Sequence, residues 1–260
     1  MNSSSHPTVV TCYYKIPSKH SHNDYDGWIG NFVSNVNCHL IIFTSPDLVD
    51  YLTKKRVSKC SHYMEKTKIV SIEFENLELF QKYSAFWDYQ YEIDQQKYSG
   101  RTKECYILWN SKLWFLKMAI ELNPFSSDQF IWNDMGCLRA NNPKIIQYIG
   151  EHYPNPEKIS RNSIDITYLN PIVNRKQSIF IDEVHFSGAQ FGGHIDPILR
   201  LFELFYRKLD EHISRGIFVG CDQQTFSAVY NENPELFNCI VVQKDKLWID
   251  PWFYLWQYYT

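Results

Sequence analysis

The chain has 260 residues, of which 44% are hydrophobic and 21% charged, and its formal net charge is −3. This is the composition of an ordinary globular chain long enough to bury a large core. The charge balance excludes a face that grips DNA or RNA without specificity, because phosphate neutralisation needs clustered Lys and Arg.

No run approaches the ~20 apolar residues of a membrane-spanning helix. Seven Cys with no C-x-x-C pair exclude a zinc ribbon and read as free thiols in a reducing compartment. The polar start from Met1 to His6 carries no signal-peptide core, so the expected location is cytoplasmic. The aromatic fraction, 17%, is high and suits either a large core or a cleft that stacks on flat ligands or sugar rings. The short basic run Lys54-Lys55-Arg56 reads as a solvated helix end.

Along the chain, Thr8 to Tyr14 is a β-branched and aromatic run that suits a buried strand. A polar stretch follows, then a short helix over Trp28 to Val36. His39 to Thr44 is a second strand, and Ser45-Pro46-Asp47 opens a helix from Pro46 to Lys54. Lys68 to Phe74 is a third strand, and Glu78 to Gln96 is helical and rich in aromatics. Asn110 or Ser111 is a suitable N-cap for the apolar helix that follows Lys112, and Asn123-Pro124 ends it. Gln129 to Asn133 is a fourth strand. Residues Asn141 to Gln177 read as turns and short elements, and Ser178 to Asp182 as another strand. Gly188 to Gly193 reads as a glycine-rich turn. A long helix opens at Asp196-Pro197 and is closed by Gly216. Asp222 caps a helix from Gln223 to Tyr230, and Asn238 to Val242 is a late strand. Alternating strands and helices predict an α/β fold, a mostly parallel central sheet flanked by helices in a single domain.

In such folds ligands sit beyond the carboxyl ends of the strands, so the polar residues there are the candidates. Three clusters qualify. Tyr13, Tyr14 and Lys15, with Lys19 just beyond, offer aromatics for a nucleobase and ammonium groups for a diphosphate, or else form an edge loop with solvated lysines. Asp134 ends a buried strand, where it can hold a divalent cation or a ribose hydroxyl, or accept from the backbone of a turn. Asp222 and Gln223 open a helix, where they can orient an acceptor hydroxyl or serve as a plain cap. The glycine-rich turn matches neither a dinucleotide fingerprint nor a P-loop.

The strings VVTCYY…SKH, HLIIFTSPD, WNSK with its apolar helix, FIWNDMG, FSGAQFGG and DQQTF…NPELF follow one another in this order. Together they resemble the HtrL/YibB family over roughly residues 8 to 242, a family placed by similarity among GT-A nucleotide-diphospho-sugar transferases. The resemblance implies a GT-A-like domain over 1–260, with a nucleotide-binding half at 8–140 and an acceptor-facing half at 141–260. It implies a nucleotide diphosphate sugar donor and a carbohydrate acceptor. A typical GT-A metal site uses D-x-D, two carboxylates on Mn²⁺ or Mg²⁺. Here the strand ends in Asn133-Asp134, with one carboxylate, and no C-terminal His completes a site.

The roles this reading assigns follow from position. Tyr13, Tyr14, Phe43 and Thr44 frame the nucleoside, and Lys15, Lys19 and Lys112, beside Asn110, face the diphosphate. Asp134 holds Mn²⁺ or Mg²⁺, or the ribose, and Gly192 and Gly193 let the donor sugar approach the backbone. Asp222, with Gln223 beside it, is the acceptor-side base or a stabiliser of the sugar cation. The alternative is a GT-A-like binding protein without turnover.

Overall fold

The computed structural model describes residues 6–174, 176–177, 179–180 and 183–260. Seven strands form one sheet: β1 (Thr8–Tyr13), β2 (His39–Thr44), β3 (Thr67–Ser71), β4 (Gln129–Asn133), β5 (Ile164–Tyr168), β6 (Phe186–His194) and β7 (Phe237–Val241). Their order is β3-β2-β1-β4-β6-β5-β7. Pairings β1–β2, β2–β3, β1–β4 and β5–β7 are parallel, and β6 runs against both of its neighbours. The helices are α1 (His22–Val33), α2 (Val49–Val57), α3 (Glu78–Lys82), α4 (Ser84–Ile93), α5 (Lys103–Asn110), α6 (Lys112–Leu122), α7 (Pro143–His152), α8 (Ile195–Ser214), α9 (Asp222–Glu232) and α10 (Leu255–Tyr258). The fold is thus the expected single α/β domain with a mostly parallel sheet.

Strand alternation explains the layering, since successive side chains point to opposite faces. Val10, Ile41, Phe43, Phe130 and Trp132 pack with Phe115 and Leu116 of α6, Leu201 of α8 and Phe226 of α9. Val9, Leu40, Ile42 and Ile131 pack on the other face with Ile29 and Phe32 of α1, Leu52 of α2 and Trp256 of α10. The C-terminal segment is pinned to the sheet: Tyr259 donates its hydroxyl to Asp165 at 2.8 Å, and the Asn155 N–H donates to the Tyr259 carbonyl at 2.8 Å.

The order of the strands creates the crevice that matters. From β1 the chain steps outward to β2 and β3, then returns to the other side of β1 with β4. The carboxyl ends of β1 and β4 therefore flank a topological switch point, the standard ligand position in open α/β sheets.

Several sequence expectations are corrected. Helix α1 starts at His22 rather than Trp28, because Ser21 and Asp24 form a capping box. Ser111 takes the N-cap position of α6 but makes no capping bond: α5 runs directly into α6, and the side chains of Asn110 and Ser111 donate back to carbonyls four residues earlier. Asp222 is not a cap either; Cys221 holds that position with no side-chain bond, and Asp222 is the first helical residue. The stretch 141–177 contains a full helix, α7, and strand β5. The expected strand over 178–182 falls largely outside the described residues. The glycine-rich "turn" is the interior of β6, where Gly192 and Gly193 admit the neighbouring strands: an added Cβ would meet the Phe130 carbonyl at 2.8 Å and the Ser163 carbonyl at 2.9 Å respectively.

The basic run 54–56 is corrected too. Arg56 is fully buried, donating to the carbonyls of Val33, Val36 and Cys38 and to the Thr67 hydroxyl at 2.8–3.0 Å. All seven cysteines are free thiols. No described helix is long and apolar enough to cross a membrane.

Candidate functional site

Three residues named separately in the sequence meet on one ammonium group. Lys112 opens α6, and its Nζ lies 2.8 Å from the Gly188 carbonyl, 2.9 Å from Asp222 Oδ2 and 3.0 Å from Asp134 Oδ1. Asp134 follows β4 directly. Its N–H donates to the Ala189 carbonyl at 2.8 Å, which carries the β4–β6 pairing one residue past the strand. The Trp132 indole N–H donates to Asp134 Oδ1 at 2.8 Å and fixes the carboxylate's orientation. Asn110 brings α9 to this place: its amide donates to the Tyr106 carbonyl and to the carbonyls of Val219 and Gly220, the turn just ahead of Asp222. A Cβ on Gly188 would sit 2.6 Å from Asp222 Oδ2, so a larger residue there would displace the carboxylate.

The three charges are not equally accessible. The side chains of Lys112 and Asp222 are 5% and 4% exposed, whereas that of Asp134 is 34% exposed. Burial alone pulls the Lys112 ammonium down, but Asp134 and Asp222 outweigh it and hold the lysine above its ordinary range. Asp222 is raised: burial is the main cause and the like charge of Asp134 adds to it, while Lys112 opposes. One cation thus serves two acids, and burial raises the proton affinity of the deeper one above its ordinary value. Lys112 already donates to Asp134 and to the Gly188 carbonyl and pairs with Asp222, so a diphosphate would compete with these partners for its ammonium.

The residues expected to frame a nucleoside divide. Tyr13 lies on the crevice side, its ring 6.2 Å from Tyr25 and 6.4 Å from Tyr51. Tyr14 points to the opposite face, with its hydroxyl on the Ile72 carbonyl at 3.1 Å. Phe43 is fully buried against Phe115, and the Thr44 hydroxyl donates to the Tyr13 carbonyl at 2.6 Å, so neither reaches a ligand. Lys15 and Lys19 are exposed on the loop after β1. Gln223 is buried in the first turn of α9, its Oε1 3.3 Å from Cys221 Sγ. Gly192 and Gly193 lie toward the far end of the sheet, paired with Ile131 and Phe130 rather than with Asp134; Gly188 is the glycine at the site.

Sequence reading placed Trp132 in the cluster around Asp134 and Gly188 in the glycine-rich turn, but gave neither a role of its own. It missed Arg139, on the loop after Asp134, although the rule of inspecting polar residues beyond each strand would have reached it. The Tyr25 ring closes over this loop, so that a Cβ on Gly136 would meet it at 2.9 Å.

A divalent cation is poorly matched here. Among the described residues no group of three or more His, Cys, Asp or Glu converges. Asp134 and Asp222 do converge, but the Lys112 ammonium stands between them, whereas Mg²⁺ and Mn²⁺ need about six oxygen ligands. No step is therefore derived through a metal. Two surface cavities, of about 480 and 360 Å³, lie elsewhere: one includes Lys144, Tyr148 and Trp248, the other Arg161, His194 and Arg200. Neither contains a buried acid–base group, so the chemistry points to the switch point instead.

One solved structure that the chain resembles is the PaToxG glycosyltransferase, 10% identical, with 88% of this chain and 70% of that chain covered and a TM-score of 0.35. That score is too low to equate the two folds. No curated protein matches the chain. A family model described as "Bacterial protein of unknown function (HtrL_YibB)" matches residues 6–257, nearly the whole chain. The ordered motifs and this match agree, and the chain belongs to the HtrL/YibB family.

Proposed function

We propose that the protein transfers a sugar from a nucleoside diphosphate sugar to a carbohydrate acceptor, on a GT-A-like domain whose centre is the Asp134–Lys112–Asp222 group. The observation that carries this reading is the placement of that group at the switch point between β1 and β4, with a partly exposed carboxylate above a buried ion pair. Nucleotides bind at such points, and the resemblance to nucleotide-sugar transferases concerns the same strand ends. The first half of the chain, with Tyr13, Lys15 and Lys19 on the loop side of β1, takes the nucleotide. The second half, entering through β6 and α9, faces the acceptor.

In the reaction the bond between the anomeric carbon and the diphosphate oxygen breaks, and the acceptor hydroxyl oxygen bonds to that carbon. Asp134 is the carboxylate with an accessible edge, and we assign it contact with the donor and the hydroxyl proton. Asp222 acts from behind: it pairs with Lys112, and Lys112 holds Asp134 in place. This narrows the role expected of Asp222 from base to charge stabiliser, because its side chain is almost wholly covered. The second reading, a binding protein without turnover, draws on the same burial of Asp222.

Calorimetry with the common nucleoside diphosphates tests the proposal. Micromolar binding, weakened about tenfold or more in a folded Asp134→Asn variant, is the expected result. Flat titrations with every nucleotide would sink it. Nucleotide binding without nucleotide release from any donor sugar, acceptors present, would establish the binding protein in its place.

A further inference from the structure

The Arg139 guanidinium is held like a receptor with one open edge. Its flat face lies 4.0 Å from the Trp28 ring and 4.9 Å from Phe253, measured from Cζ to the ring centres. Nε donates to the Gly136 carbonyl at 2.9 Å, on the turn that Asp134 begins. One terminal nitrogen lies 3.4 Å from His20 Nε2. No carboxylate pairs with it among the described residues, whereas Lys55 and Lys112 both have acidic partners. A cation fixed by two aromatic faces and a backbone carbonyl loses little side-chain freedom on binding, and the guanidinium fork suits phosphate oxygens.

We propose that Arg139 is the phosphate anchor of the crevice, pairing through its open edge with the diphosphate of a bound nucleotide. The anchor lies between the β1 and β4 loops, and Lys15 and Lys19 add positive charge from the β1 side. His20 fits the arrangement. Its imidazole is lowered by burial first, then by Arg139 and Lys19, so at neutral pH its Nε2 is free to accept from Arg139. Tyr25 and Trp28, whose rings are 5.4 Å apart, add an aromatic wall on one side of the guanidinium. The anchor supplies the positive charge that a metal would otherwise bring to the diphosphate, and it lies on the same turn as the carboxylate assigned to the donor.

The nucleotide part of this inference rests on the proposed function; the anion part does not. Isothermal titrations of the full chain with inorganic pyrophosphate, with nucleoside diphosphates and with the parent nucleosides separate the two. Arg139→Gln is expected to weaken pyrophosphate and nucleoside diphosphate alike by about tenfold or more, while nucleoside binding stays within twofold. Arg139→Lys keeps the charge and loses the fork, and is expected to recover only part of the loss. It also carries the test if Arg139→Gln, by freeing the Gly136 carbonyl, fails to fold. Nucleoside diphosphate binding that is unchanged in both variants overturns the anchor and leaves the transferase reading standing. Pyrophosphate binding that depends on Arg139, with no nucleotide bound, supports the anchor and sinks the transferase reading. A wild-type protein that binds neither pyrophosphate nor any nucleotide overturns both.

Discussion

Arg56 and Lys112 are both buried cations beside the same sheet, and they differ in what surrounds them. Arg56 sits near the amino end of β2 and bonds only neutral acceptors: three carbonyls, two of them at and just beyond the end of α1, and one hydroxyl. A cation there satisfies carbonyls that the helix end leaves open and completes a joint between α1, β2 and β3. Lys112 sits near the carboxyl ends of β1 and β4 and bonds two carboxylates and one carbonyl. The first arrangement has no acid to titrate and no open side. The second has two acids, one exposed and one with a raised proton affinity. Burial of a cation is thus no mark of function by itself; its partners decide.

The sharpest way to break the comparison is to remove the Lys112 charge. Lys112→Met leaves Asp134 and Asp222 facing each other with no cation, and stripping one side of a buried ion pair costs about 3–5 kcal/mol. Urea unfolding should show that loss, and adding Asp222→Asn to the same chain should recover part of it through their coupling. Lys112→Met with wild-type stability would mean that the ammonium is not held as described.

Arg56→Lys probes the other cation. Three ammonium donors on a flexible stem cannot reproduce four contacts from a planar fork, so at least one buried acceptor goes unpaired, at about 1–3 kcal/mol. Ligand affinity of the folded protein should not change. A selective loss of nucleotide binding would overturn the structural assignment of Arg56.

Gly188→Ala is expected to cost about 1–3 kcal/mol as an overpacking change. Its Cβ collides with a carboxylate rather than with an apolar neighbour, so the damage should be local, seen as weakened nucleotide binding in a still cooperative unfolding transition.

The elements legible in the sequence were those with strong local signals. β1, β2 and β4 are apolar runs, the end of α6 is announced by Asn123-Pro124, and that of α8 by Gly216 with φ +66°. β6 was hidden because the partners of its polar side chains lie far along the chain. The Gln190 amide donates to Asn133 Oδ1 at 3.0 Å, and the Ser187 hydroxyl to the Trp252 carbonyl at 2.6 Å. A buried strand with glycines and paired polar groups looks locally like a turn. Arg56 was misread for the same reason, since a basic triplet gives no sign of the three carbonyls that enclose its last member. At the site, Asp134, Lys112 and Asp222 were each visible as strand-end or helix-start residues. Their meeting was not, because it depends on Asn110 tying the α5–α6 joint to the turn before α9.

The smallest expected effect is also the most specific. Asp222→Asn removes a charge that Lys112 attracts, that Asp134 repels and that burial penalises, and these terms oppose one another. Cys221 holds the cap position, and Asn keeps a side-chain oxygen for the Gln223 N–H, so little helix-end loss is added. At pH 7 the net change in stability should fall within about 1–2 kcal/mol, well below that of Lys112→Met. The pH dependence is the sharper readout. The carboxyl of Asp222 is raised in the folded protein above its ordinary 3.8. The native state therefore holds the proton where the unfolded chain has released it, and Asp222 contributes its stability fully below that ordinary value. The contribution is lost as pH rises through the raised value. Wild-type protein should accordingly lose stability relative to Asp222→Asn as pH climbs from about 4 toward neutrality, and the difference should flatten once Asp222 is ionised in both states. Lys112 adds no slope in that window, because its raised ammonium holds its charge until well above the ordinary lysine value of 10.5. Parallel denaturation series at several pH values, wild type against Asp222→Asn, give the result directly. A difference that stays constant from pH 4 to 8 would mean that Asp222 is ionised throughout, with Lys112 winning over burial. Asp222 would then be ionised already at pH 4, and the raised proton affinity assigned to it would be overturned.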